Sequence, residues 1–257
     1  MVIFRLLSAE FVKSKRTPFL LTHLLVPIII SALFLAYYSY SPWDFNGKVN
    51  AYYQGLACGF PIIIGLVCAM SAEQEAAAGH FQLMLTATSI KILAFVSKLL
   101  HLLLFGFAAI LFSILVFSFG FIEILHEDQF DVQFYVIGAC IIFGSTIFLY
   151  ILHLVVSLRF GKGASIGLGI VEALLVALLL TGLGDGIWSF IPYGWGGHFI
   201  SLWALYESGV ELSVVHTGLQ VGMITCISAT LLAFIGACLW FWRWEGRKSE
   251  GRIKKEC

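Results

Sequence analysis

Charge is scarce in this sequence. Only 12% of its 257 residues are Asp, Glu, Lys or Arg, while 60% are hydrophobic. A soluble domain carries about a quarter charged residues, so the deficit excludes an ordinary water-soluble globule and points to an integral membrane protein. Catalytic signatures are missing as well. There is no GxxxxGK(S/T) phosphate loop, since "FGKGAS" lacks the upstream glycine. There is no GxSxG or HExxH. The seven histidines form no HxxH or HxxxH pair, so no metal site is expected. The six cysteines form no CxxC pair, and most lie in apolar runs, where they read as small packing residues. No polar stretch is long enough to hold a cofactor, and nothing calls for a nucleic-acid partner.

What is present is a set of long apolar runs. A spanning helix needs roughly 20 apolar residues, and six stretches qualify: 19–40, 51–70, 92–118, 135–158, 164–183 and 217–242. The fold class is therefore an all-α integral membrane bundle of six helices. Residues 1–17 place Ile3, Leu6, Leu7 and Phe11 on one helical face with Arg5, Lys13, Lys15 and Arg16 elsewhere, which reads as an amphipathic helix on a membrane surface.

The placement of charge predicts orientation. Arg5, Lys13, Lys15 and Arg16 precede the first run, Lys91 and Lys98 start the third, and Arg159 and Lys162 part the fourth from the fifth. Arg243, Arg247, Lys248, Arg252, Lys254 and Lys255 follow the last, so 243–257 is a basic tail. Lys48 alone falls on the other side, with Asp44, Glu123, Glu127, Asp128, Asp131, Asp185, Glu207 and Glu211. Basic loops stay inside, so both termini are expected in the cytoplasm.

Three features stand out as functional candidates. Glu172 lies within the fifth run, and an intramembrane carboxylate is costly enough to suggest a role; it is either a pathway residue or a structural one, protonated or paired with His153, His101 or Lys98. The segment 184–216 is too polar to span yet carries Trp188, Tyr193, Trp195 and Trp203. Such aromatics favour a membrane interface, so it reads as short re-entrant helices at the outer leaflet. The third is "SAEQEAAAGH", residues 71–80. Ser71 and Gln74 have capping-box spacing, Glu73 and Glu75 suit a first helical turn, three alanines follow, and Gly79 suits a stop. This predicts a short cytoplasmic helix over 71–79 that docks on a partner.

At these residues the sequence resembles a known family. The opening "LLSAEFVKSKRT", the stretch "EQEAAAGHFQLMLTATSIKILAFVSK" and the aromatic, glycine-rich segment before the last run resemble the permease subunits of ABC-2 exporters. The likeness extends to the lantibiotic-immunity permeases, the E/G-type subunits of the mutacin, nukacin and nisin self-protection systems. The resemblance implies a multi-pass protein of the bacterial cytoplasmic membrane that is not itself an enzyme. It implies a separate ABC ATPase, in two copies, which holds ATP and Mg and docks on a coupling helix comprising Ser71, Glu73, Gln74, Glu75 and Gly79. It further implies a second permease, either homologous or another copy of this chain, within membrane lipid, and a membrane-active peptide as cargo. Glu123, Glu127, Asp128 and Asp131, with the aromatic segment, would then meet a cationic peptide outside. Three alternatives remain open: an ABC-2 permease for another lipid or drug, a non-transporting immunity protein that sequesters the peptide, or a membrane enzyme using Glu172 with a histidine.

Overall fold

A computed structural model describes residues 2–15, 17–210 and 216–247. Among these the chain is helical, with no strand: α1 (Val2–Ser14), α2 (Phe19–Tyr38), α3 (Phe45–Ala77), α4 (Gln82–Thr86), α5 (Lys91–Phe119), α6 (Val132–Phe160), α7 (Lys162–Leu179), α8 (Trp195–Glu207) and α9 (His216–Arg243). Six helices are long and apolar enough to cross a membrane: α2, α3, α5 with the π-helical turn Gly120–Ile124 that extends it, α6, α7 and α9.

The ends of these helices meet in two groups. Tyr38, Phe45, Phe117, Phe121, Phe134 and Tyr135 form one apolar cluster. It joins the end of α2, the starts of α3 and α6, and the end of α5. The opposite ends join through Phe81, Phe95, Leu158, Phe241 and Trp244. The helices thus alternate up and down. The first group lies beside Asp44, Glu127 and Asp131, here the acidic end. The second lies beside Lys13, Lys98, Arg159 and Arg247, the basic end.

The most extensive helix pairing is between α3 and α7. A Cβ at Gly169 would lie 2.5 Å from the Pro61 carbonyl oxygen, so only glycine lets the two backbones close to this distance.

One expectation changes. Residues 71–77 are not a separate helix: α3 runs unbroken to Ala77. Ser71 and Gln74 therefore cap nothing, and their i,i+3 spacing falls inside an existing helix. Lys98, two turns into α5, is fully buried. On α1, Phe11 packs on α5 against His101 and Phe105 at ring distances of 5.1 and 5.3 Å.

The chain between α7 and α8 turns back into the bundle through the 3-10 turns Gly182–Gly184, Trp188–Phe190 and Pro192–Gly194. Trp195 packs on Phe148, midway along α6, with ring centroids 5.9 Å apart. From there α8 climbs beside α3. Ser201 donates to Asn50 at 3.0 Å, Gln54 donates to Ser201 at 3.2 Å, and Ser208 donates to Asn46 at 3.3 Å. Residues 211–215 and 248–257 lie outside the described residues, and with them Glu211 and most of the basic tail.

Candidate functional site

The basic end carries two features built from distant parts of the chain. The first is a buried charge cluster. Lys13 of α1 reaches Glu10 at 2.7 Å and Glu75 of α3 at 2.6 Å. Lys98 of α5 pairs with Glu10 and, at 2.9 Å, with Glu75. It also donates to Ser71 at 3.3 Å. Gln74 ties the same helix down by donating to the Lys13 carbonyl at 2.8 Å. Two carboxylates face two ammonium groups, so the cluster is neutral as a whole. Burial opposes the charge on Glu10, but Lys98 and Lys13 outweigh it and hold the carboxyl below the usual carboxylate range. Burial likewise opposes the charge on Lys13, and Glu10 and Glu75 outweigh it and hold the ammonium above the usual lysine range. The cluster fastens α1 to two spans.

The second feature is an open cleft of about 1250 Å³. Its walls are the end of α3 (Glu73, Ala76, Ala77), the α6–α7 turn (Arg159–Gly163) and the end of α9 (Trp240–Arg247). One edge is a turn with three successive positive φ angles: Gly79 at 116°, His80 at 51° and Phe81 at 69°. Glycine adopts such angles freely; His and Phe do so at a cost. Phe81 is held in place because its ring is buried against Trp244, 5.1 Å away, and lies under the Arg247 guanidinium at 5.4 Å. Arg247 in turn donates to Glu73 at 2.8 Å.

The expected docking residues therefore separate. Glu75 is 1% exposed and committed to Lys13 and Lys98, so it is not a surface contact. Ser71 and Gln74 are likewise turned into the chain. Glu73 remains on the cleft, paired with Arg247, and Gly79 lies in the adjoining turn. Sequence reading missed the charge cluster because its partners lie 62 and 88 residues apart. The available signal was an acid, Glu10, inside an otherwise apolar and basic leader.

The candidates elsewhere also divide. Glu172 meets His153, with Nε2 to Oε2 at 2.7 Å, and Tyr193 stands beside the same carboxyl. Trp188 stacks on His198 at 4.6 Å, and Trp195 donates to the Ser189 carbonyl at 2.9 Å. Trp203 stacks on Phe134, centroids 6.1 Å apart. Of the four acids, Glu127 pairs with Lys48 at 2.6 Å, and Asp131 caps α6 by accepting from the Phe134 amide at 3.0 Å. Glu123 and Asp128 are exposed. Among the described residues no cluster of three metal-ligating side chains occurs.

No curated protein and no solved structure matches the chain. One protein family does, described as ABC-2 family transporter protein, over residues 6–178. That is about two thirds of the chain, from α1 to the end of α7. With its six apolar helices, the chain belongs to the ABC-2 transporter family and is a multi-pass membrane permease.

Proposed function

We propose that this permease is driven by a separate ATPase docked at its basic end, and that it expels a cationic, membrane-active peptide. The observation that carries the first part is the basic-end cleft. It draws its walls from α3, α7 and α9 together, so a partner seated there would act on three spans at once. The excess of Lys and Arg at that end supports a cytoplasmic position. Arg159, Lys162, Arg243 and Arg247 outnumber Glu73 and Glu245 along the cleft, so the matching surface on the ATPase is acidic.

The peptide reading rests on the resemblance to lantibiotic-immunity subunits. It is supported by an apolar groove of about 440 Å³ between α6, α8 and α9, lined by Phe199, Leu202, Trp203, Met223 and Ile227. Such a groove suits the apolar face of an amphipathic peptide. Glu123, Asp128 and Glu207, exposed at the acidic end, suit its cationic face.

The test reverses charge at the cleft with R159E/K162E. Both side chains are exposed, so the variant should insert and accumulate normally yet lose copurification with the ATPase and lose protection of cells from the peptide. Retained copurification would remove the cleft from the mechanism. For the peptide, E123Q/D128N should weaken protection more at low salt than at high salt, because exposed charges are screened.

A further inference from the structure

One guanidinium draws the walls of the basic-end cleft together. The chain leaves α9 at Arg243, buries Trp244 and turns at Gly246, where φ is 106°. Arg247 then reaches across to the other elements. Its Nη2 donates to Glu73 Oε1, near the end of α3, at 2.8 Å. Its guanidinium carbon lies 5.4 Å from the centroid of the Phe81 ring. A Cβ placed on Gly161, in the α6–α7 turn, would collide with its Nη1. Phe81 belongs to the left-handed turn between α3 and α4, and its ring is packed against Trp244 and this guanidinium. Arg247 is therefore placed to hold the turn through which α3 leads to α5.

The hold on Glu73 is a loose one. It is a single contact, and the two side chains are 25% and 38% exposed. Exposed pairs of this kind add little stability. Glu75, two residues on, is a contrast: it is 1% exposed and committed to two lysines. A guanidinium carries several N–H donors in a planar fork. The bond to Glu73 is the only hydrogen bond that Arg247 makes among the described residues. A carboxylate arriving from the cleft can take two donors at once, and a bidentate pair is stronger than a single bond. The cleft also attracts such a group, because Arg159, Lys162 and Arg243 line it beside Arg247.

We propose that Arg247 is the pin of a carboxylate exchange: an acidic side chain of the docked ATPase takes the guanidinium from Glu73 and draws it off Phe81, freeing the turn between α3 and α4. This rests on the docking reading above and adds the contact through which docking is felt. Arg159, Lys162 and Arg243 hold the partner, and Arg247 answers to it.

Hydrogen exchange of residues 78–86, read by mass spectrometry in phosphatidylcholine nanodiscs, tests this with the ATPase that copurifies with the wild-type chain. In the permease alone, Arg247→Met should quicken exchange of the turn. Glu73→Gln should quicken it by up to about fivefold, the hold of one exposed ion pair. Docking of the ATPase on the wild type should quicken it as well, although a docked partner would otherwise shield the turn. On R247M, docking should persist and add nothing to the exchange. If no ATPase copurifies with the wild type, the docking reading falls and this proposal with it. If the ATPase copurifies but residues 78–86 exchange no faster, or if R247M alone is as protected as the wild type, the exchange is overturned and the docking reading stands. Quickening that requires added phosphatidylglycerol would assign the carboxylate's part to a lipid phosphate and overturn it too.

Discussion

Two buried polar clusters hold this bundle together, and they solve the same problem in opposite ways. At the basic end, Glu10 and Glu75 are matched one for one by Lys13 and Lys98. Midway along α7, Glu172 meets His153 at 2.7 Å, and the other ring nitrogen of His153 meets Ser165, which donates to the Gly65 carbonyl. The difference follows from position. Lys13 sits on α1, outside the spans, and Lys98 starts only two turns into α5, so long cationic side chains can be supplied there. Deeper in the bundle each added charge costs more, and the carboxyl is met by a histidine instead of a lysine.

The largest expected effect breaks the first cluster. Lys98→Met leaves Glu10 and Glu75 with Lys13 as their only paired cation among the described residues, and an uncompensated buried charge costs about 3–5 kcal/mol. The variant should melt far below wild type in detergent. Adding Glu75→Leu should recover part of the loss, which a double-mutant cycle reads directly. An additive cycle would show that the two side chains do not interact.

The pH response should come next. Glu10 is held below its unfolded range, so its contribution is present above that range and is lost as pH falls through the folded value. Lys13 is held above its unfolded range, so its contribution is present below that range and is lost as pH rises through the folded value. The protection of α1 amides, relative to their intrinsic exchange at each pH, should therefore fall in acid and again in strong base, with a protected window between. Protection that does not change with pH would unlink α1 from these charges.

A smaller effect sharpens the second cluster. Gly169 lies one turn before Glu172, and Gly169→Ala sets a methyl 2.5 Å from the Pro61 carbonyl oxygen. Overpacking of this kind costs about 1–3 kcal/mol. The smallest effect belongs to Glu73→Gln. Its pair with Arg247 is partly solvated, at 38% and 25% side-chain exposure, and is worth about 1 kcal/mol or less. Its melting point should barely change, in contrast to any change at Glu75 only two residues away.

The six spans were legible because runs of 20 apolar residues have few other readings. Their boundaries were not. α3 starts at Phe45 and ends at Ala77, well beyond the apolar run 51–70, because its polar ends find partners inside the protein. Lys48 meets Glu127, Asn50 meets Ser201, and Glu75 meets Lys98. Hydropathy sees only the cost of such residues, not the partner that offsets it. The same blindness turned Ser71 and Gln74 into an apparent cap. Glu172 was legible as unusual, with His153 among its possible partners, yet Ser165 could be added only once α3, α6 and α7 were in place.

The left-handed turn after α3 has a mechanical consequence. His80 and Phe81 each hold a backbone shape costing about 1–2 kcal/mol, or about 2–4 kcal/mol together. A tenfold shift in population corresponds to about 1.4 kcal/mol. Release of the Trp244–Arg247 clasp would therefore swing the balance between coiled and relaxed forms by roughly one and a half to three powers of ten. The turn is a cocked trigger, and its catch belongs to the far end of the chain. A small displacement of α9 can thus discharge into the α3–α5 junction without any change in either helix beforehand.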